Sequence, residues 1–262
     1  MATVHFHILD GVAHSPLKSP FGSLEFSEDL SLITMFRFLE FVGSRLKALG
    51  AKKIVIKDCP CDYHPRKAPI LHTFLFNQGY RVTDAEVGAL IPVTSARFDS
   101  GLDDWEKRKL RQSAEAELVF KLLTLEQVGE AYLFILACRK FKGYSLSMTL
   151  PELRETVRTF EKNFRVFGVY QGDRLVATSI SILVQEKILY NFYSSHSSEF
   201  DSLSPVVFLI SNMYSYCQEQ KFEILDLGTS ALDGKPNFGL LDFKLRLGAK
   251  PTPKLTFEKI LD

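Results

Sequence analysis

Phe222-Glu223-Ile224-Leu225-Asp226-Leu227-Gly228-Thr229-Ser230, followed by Asp233-Gly234-Lys235-Pro236-Asn237-Phe238-Gly239 and then Leu240-Leu241-Asp242-Phe243-Lys244, decides how this chain is read. Its first part predicts a buried strand over Phe222–Leu227 that delivers a carboxylate, Asp226, and two hydroxyls, Thr229 and Ser230, into a glycine-containing turn. Open α/β sheets place ligands at such strand ends. A short helix is expected from Gly239 to Leu247, so unpaired backbone N–H groups and the positive end of a helix dipole stand close to that turn. Lys244 lies a little over one turn into this helix and brings a cation to the same region. Two readings stay open at this point. In one, Asp226, Asn237 and Lys244 serve a ligand; in the other, Asp226 caps a turn, Asn237 starts the helix and Lys244 faces solvent. The glycines Gly228, Gly234 and Gly239 match no dinucleotide or P-loop fingerprint.

Upstream of this stretch, Ser204-Pro205 opens a predicted helix with Val206, Leu209, Ile210, Met213, Tyr214 and Cys217 on one stripe. Ser204 suits an N-cap and Pro205 the first helical position, and the same amides suit a phosphate or carboxylate. Strands are expected at Val166–Tyr170 and Arg174–Val184, around the Gln171-Gly172-Asp173 turn, and at Lys187–Tyr193. Just past the last of these, His196 offers an imidazole able to carry protons near neutral pH, or is simply a surface residue. A closing strand is expected at Lys254–Lys259.

The beginning of the chain repeats this order. Apolar spacing predicts a helix over Leu30–Leu49, stopped by Gly50, then an inner strand Lys53–Lys57, a polar turn, a helix over Ile70–Asn77 stopped by Gly79, and a strand over Tyr80–Val93. Ile54-Val55-Ile56 and Ile224-Leu225-Asp226 are offset by 170 residues, and Gly79 and Gly248 by 169. Such an offset, held across a strand and a helix stop, points to tandem duplication of one α/β module. Between the copies, helices are predicted over Asp103–Leu123, Leu125–Phe141 and from Leu150 to about Phe160. The expected fold is therefore α/β, with mixed-sheet modules at 1–95 and 164–262 and a mainly helical connecting region at 96–163.

Composition bounds the function. The 262 residues carry 32 basic and 31 acidic side chains, a formal charge of +1, which supplies no global attraction to nucleic acid or an anionic membrane. The apolar run Ala131–Cys138 is far shorter than the roughly 20 residues a membrane span needs, so no integral membrane segment is expected. The amino terminus resembles no secretory signal and four cysteines make no disulfide framework, which suggests reduced thiols in the cytoplasm. Cys59, Cys61 and His64 form a C-x-C-x-x-H cluster with His72 nearby. One residue between the cysteines is short for a zinc pair or a redox motif, so no metal site is expected. The Asp99–Arg111 charge run reads as a solvated helical face, or as a grip on a phosphate-bearing substrate. The 32 aromatic rings suit packed cores better than a channel.

The carboxy-terminal third resembles the acetyltransferase-fold domains of the GNAT superfamily, and more specifically the Fem-type aminoacyltransferases. The resemblance rests on Phe167-Gly168-Val169-Tyr170, Leu175-Val176-Ala177-Thr178, Ser204-Pro205, Asp226 to Ser230, and Asn237-Phe238-Gly239 leading into Phe243-Lys244. It covers Phe164–Phe257, and the first 95 residues look like the partner domain of the tandem GNAT-like arrangement, the acyl-CoA N-acyltransferase fold twice over. It implies transfer of an acyl or aminoacyl group from an activated donor, acyl-CoA or aminoacyl-tRNA, to an amine-bearing acceptor. By that likeness Lys244 would hold donor phosphate or offset charge on the reacting oxygen. With the donor between the Ser204 helix start and the Asp226 to Ser230 strand end, the residues themselves suggest Asp226 to position or deprotonate the amine, His196 to carry protons, and Ser204, Thr229, Ser230 and Asn237 to bind the donor. CoA-binding members carry glycines before the central helix, and His196 to Pro205 contains none. A binding or scaffold module of the same fold is the alternative from another class. Nothing in the sequence selects an oligomeric state.

Overall fold

The computed structural model describes every residue except Glu28, Lys142, Asp233 and Asp262. The chain opens with β1 (Ala2–Thr3), β2 (His7–Leu9) and β3 (Val12–Ser15), with Asp10 and Gly11 at φ 50° and 76° forming the two-residue turn between β2 and β3. β4 (Glu25–Phe26) pairs with β1. Helix α1 (Leu32–Ala48) starts where the Ser31 hydroxyl accepts the Thr34 N–H, and its spacing of three and four buries Met35, Leu39, Val42 and Leu46. β5 (Lys53–Lys57) alternates, burying Ile54 and Ile56. Helix α2 (Ala68–Asn77) is followed by Gly79 at φ 84° and then β6 (Arg81–Pro92).

The middle of the chain holds α3 (Asp104–Glu115), β7 (Leu118–Leu123), α4 (Val128–Phe141) and α5 (Leu150–Thr159). Three antiparallel strands follow, β8 (Phe164–Gln171), β9 (Arg174–Gln185) and β10 (Ile188–His196). Then come α6 (Pro205–Glu219), β11 (Ile224–Thr229), the short pair β12 (Ala231–Leu232) and β13 (Lys235–Pro236), α7 (Phe238–Arg246) and β14 (Lys250–Ile260). Helix, strand, helix, strand thus recurs as α1-β5-α2-β6 and α6-β11-α7-β14. Gly79 and Gly248, at φ 84° and 80°, close the second helix of each copy. The fold is mixed α/β with tandem sheet modules and helical connecting structure.

Two compact units contain these elements, one made of 1–88, 229–236 and 252–262, the other of 89–228 and 237–251. In the first, the strand order is β2-β3-β5-β14-β6, with β3 parallel and β14 antiparallel to β5. Its core gathers Met35, Leu39, Ile54, Ile56, Leu75 and Phe257. The second unit orders its strands β6-β11-β10-β9-β8-β7, with β10 and β11 parallel and the rest of the β7 to β10 run antiparallel. Alternation on β8 feeds two cores, Phe167 and Val169 on the face covered by α6, Phe164 and Val166 on the face covered by α4 and α5.

The helix expected over Asp103–Leu123 is corrected. Glu117, at φ 54°, ends the helical run, and Leu118–Leu123 forms a strand paired with β8 from Leu118–Gln171 to Leu123–Val166. Both Leu118 and Leu123 are buried, so tertiary pairing outweighs the helical appearance of the surrounding charges. The hairpin of β2 and β3 is an addition to the expected elements. Among the described residues, no helix is long and apolar enough to cross a membrane.

Candidate functional site

β10 and β11 run parallel in register from Ile188–Ile224 to Tyr190–Asp226. Beyond that pair the two strands part, while β10 continues to His196. A register shift between Asn191 and Tyr193 against β9 bends β10 at this level, as a bulge does. On the β11 side, Asp226 is the last residue in register, and its Oδ1 accepts the Gly228 N–H at 2.6 Å, turning the chain where Gly228 takes φ 75°. The Tyr190 ring lies against Gly228, where an added Cβ would meet it at 3.5 Å.

Lys244 arrives from α7. Asn237 caps that helix by accepting the Leu240 N–H at 3.1 Å, and Lys244 extends from its last turn to donate from Nζ to the Gly228 carbonyl at 3.0 Å. Only 6% of Lys244 is exposed and only 1% of Asp226. Burial lowers the Lys244 ammonium from its ordinary value to about 8, and the Asp226 negative charge opposes that shift. Thus Asp226 and Asn237 have the local roles that the bland alternative assigned, a turn anchor and a helix cap. Lys244 does not face solvent. The arrangement joins a buried ammonium, a carbonyl and a carboxylate at the point where two parallel strands diverge.

The C-terminal end of α7 is held by α3. Asp103 caps α3 by accepting the Glu106 N–H at 2.8 Å, and its own N–H donates to the Arg246 carbonyl at 3.1 Å. Arg246 Nε donates to Glu106 Oε1 at 3.1 Å, and Glu106 is completely buried. Tyr190 and Glu106 were not expected at this arrangement. Strand register assigns the first and helix docking the second, and neither is spelled by a local motif.

The other expected site residues fall elsewhere. The His196 imidazole pairs with Asp201 at 2.9 Å, at the far end of β10. Six residues separate it from Tyr190, the partner of Asp226, which at about 3.3 Å per residue is roughly 20 Å along the strand. His196 is therefore not brought to Lys244 and Asp226. Ser204 adopts φ 51° and, among the described residues, makes no side-chain hydrogen bond to the first turn of α6. Its expected cap is corrected, because the left-handed backbone carries the hydroxyl out of the usual capping geometry. In the first unit, the Thr229 hydroxyl meets Glu86 Oε1 at 3.4 Å, and Glu86 pairs with the buried Lys254 at 3.0 Å. Ser230 is buried there, its Oγ without a hydrogen-bond partner among the described residues. Asp233 lies outside the described residues.

Around the C-x-C-x-x-H cluster, His72 Nε2 pairs with Asp58 at 2.7 Å. Burial and the neighbouring Asp58 carboxylate push the Cys59 thiol far up, and the same causes raise Cys61 to about 11. Both thiols stay protonated at neutral pH, which makes them poor nucleophiles.

The turn before α6 tests the fit of a CoA diphosphate. Ser198–Leu203 contains no glycine and carries Glu199 and Asp201, paired with Arg174 and His196. Acidic side chains at that place oppose an anion, so these residues do not fit a diphosphate cradle of the glycine-rich type.

Comparison with known structures agrees with the architecture. FemX superposes with a TM-score of 0.73 at 12% identity, over 98% of this chain and 83% of that one. The carboxy-terminal domain (DUF2156) of a candidate lysylphosphatidylglycerol synthetase from Agrobacterium fabrum gives 0.67 at 14% identity, over 98% and 80%. L-PGS from Bacillus licheniformis gives 0.64 at 11%, again over 98% and 80%. At these identities the likeness concerns fold. No curated protein matches the sequence at a significant level. The family model described as an acetyltransferase (GNAT) domain matches residues 106–244, just over half of the chain and the segment that holds α3, the parting strands and Lys244. The chain belongs to this GNAT acetyltransferase family and has its mixed α/β fold.

Proposed function

We propose that this protein is an N-acyltransferase that moves an acyl or aminoacyl group from an activated ester or thioester to an amine, with the reacting carbonyl seated where β10 and β11 part. The observation that carries this reading is the buried Lys244 ammonium at the end of β11, 3.0 Å from the Gly228 carbonyl. Attack of an amine on an acyl carbon moves an electron pair onto the carbonyl oxygen, and a fixed cation in a water-poor site stabilises that oxyanion. Collapse of the tetrahedral intermediate restores the carbonyl and breaks the bond to the leaving oxygen or sulfur, which takes the proton that the amine nitrogen loses and departs as an alcohol or thiol. Lys244 is the oxyanion partner in this scheme. Asp226, buried and bonded to the Gly228 amide, positions Lys244 and does not take the amine's proton.

Acyl-CoA and aminoacyl-tRNA are the donors to compare, offered with small amine acceptors in a panel that follows acceptor acylation. Turnover with one donor class, reduced on the order of a hundredfold in kcat/KM by Lys244→Met, is expected. Failure of every donor to bind or react would reject the enzymatic reading. The alternative, a binding module that kept the fold, is favoured by one observation: Asp226 and Asn237 already spend side-chain oxygens on their own backbone. Calorimetric binding of a peptide or protein, with no affinity for either donor, would select it.

A further inference from the structure

Helix α3 carries four basic residues within five positions, Lys107, Arg108, Lys109 and Arg111, and their partners sort them. Arg108 and Lys109 lie over the Trp105 ring at 4.9 and 5.6 Å, and Lys109 also reaches Glu106 at 3.4 Å. Lys107 and Arg111 are spent differently. They stand four residues apart on one helix face, where like charges weaken a helix, so helix stability does not account for the pair.

Together with Arg97, Asp99, Leu110 and Ala114 they line a cavity of about 360 Å³. Asp99 gives both carboxylate oxygens to Arg97, whose Nε and Nη2 donate at 3.2 and 2.9 Å. Lys107 meets the exposed Asp104 at 3.3 Å. Arg111 donates only its Nε–H, to the Lys107 carbonyl at 3.5 Å, and among the described residues its two Nη groups meet no acceptor. The cleft already shows what a single carboxylate requires, since Asp99 is matched by one guanidinium. Lys107, whose Asp104 partner is almost fully exposed, stands beside Arg111, and the guanidinium fork suits phosphate oxygens. Leu110 and Ala114 add an apolar wall. The volume exceeds that of an inorganic anion and falls at the small end of organic ligand pockets.

We infer that this cleft binds a small phosphate ester of nucleotide size, its phosphate on Lys107 and Arg111 and its less polar part against Leu110 and Ala114. It shares no residue with the Lys244 arrangement and does not depend on the acyl-transfer reading. Two sources supply this chemistry, a free nucleotide and the nucleotide end of a CoA donor. Calorimetric titrations with ADP, adenosine 3′,5′-bisphosphate and inorganic pyrophosphate distinguish them. They are run on the full chain, on a Lys107→Gln/Arg111→Gln double variant and on Arg108→Gln as a control.

Saturable binding of a nucleotide is expected, weakened at least about tenfold in the double variant and unchanged in the control. Preference for the bisphosphate identifies the CoA end, and preference for ADP a separate nucleotide. Should the double variant melt early, amide chemical-shift changes in the wild-type protein decide: changes centred on 97–99 and 107–114 support the site, and changes elsewhere reject it. Lack of saturable binding by both nucleotides, whatever pyrophosphate does, or equal binding by a folded double variant, overturns the inference.

Discussion

Lys244 is the residue at which stability and chemistry are set against each other. Its ordinary value is 10.5 and its folded value about 8, so between these pH values the unfolded chain holds a proton that the folded chain has released. Unfolding then takes up protons, and stability rises with pH through that window. Below about pH 8 the ammonium is charged in both states and the burial penalty is fully present. Lys244→Met should therefore abolish this pH dependence while lowering kcat/KM on the order of a hundredfold. Urea melts from pH 7 to 10.5 check this: wild-type stability should climb relative to that of the variant as pH rises. In the proposed reaction, kcat/KM should fall as pH passes about 8, because a neutral amine no longer stabilises an oxyanion. Asn237 and the Phe243-Lys244 pair were legible in the sequence because capping and family motifs are local. The Ser204 backbone and the Asp201 partner of His196 were not, since both depend on how a turn closes.

At the element scale, the docking of α7 on α3 fixes where Lys244 starts. Gly248, which ends α7 at φ 80°, approaches so closely that an added Cβ would stand 2.7 Å from the Gly101 carbonyl oxygen. Gly248→Ala combines left-handed strain with a clash against backbone, and should cost about 2–4 kcal/mol in a thermal or urea melt. Glu106→Ala should cost about 1–3 kcal/mol, since it removes the buried carboxylate that the half-exposed Arg246 meets at 3.1 Å. Gly79 and Gly248 were visible as helix stops, yet only packing reveals that Gly248 is also a contact surface. β7 teaches the complementary lesson. Its Leu118-Val119-Phe120 core has strand character, but the charged helix before it hid the change of period until β8 supplied a partner. The β2–β3 hairpin around Asp10-Gly11 has strands of three and four residues, too short to show alternation in the sequence.

For the whole molecule, the order of elements and the assignment of strands to units follow different rules. The carboxy-terminal β14 residues 252–260 belong to the first unit, where Phe257 is fully buried and Lys254 pairs with Glu86. Truncation after Pro251 should thus destabilise the unit built mostly from the first 88 residues. Hydrogen exchange should show lost protection at Ile54 and Ile56, while the β8–β9 amides, in the other unit, keep more of theirs. The sequence by itself determined the α/β class, the recurrence of helix, strand, helix, strand, and the candidate lysine, because periodicity, glycine stops and short motifs are written over neighbouring residues. Only the tertiary structure decided that Lys244 is buried, that Tyr190 stands in register with Asp226, that His196 stands apart from both, and that the last strand serves the first unit. Register, burial and strand exchange are set by contacts between residues far apart in the chain, and local spacing carries no record of them.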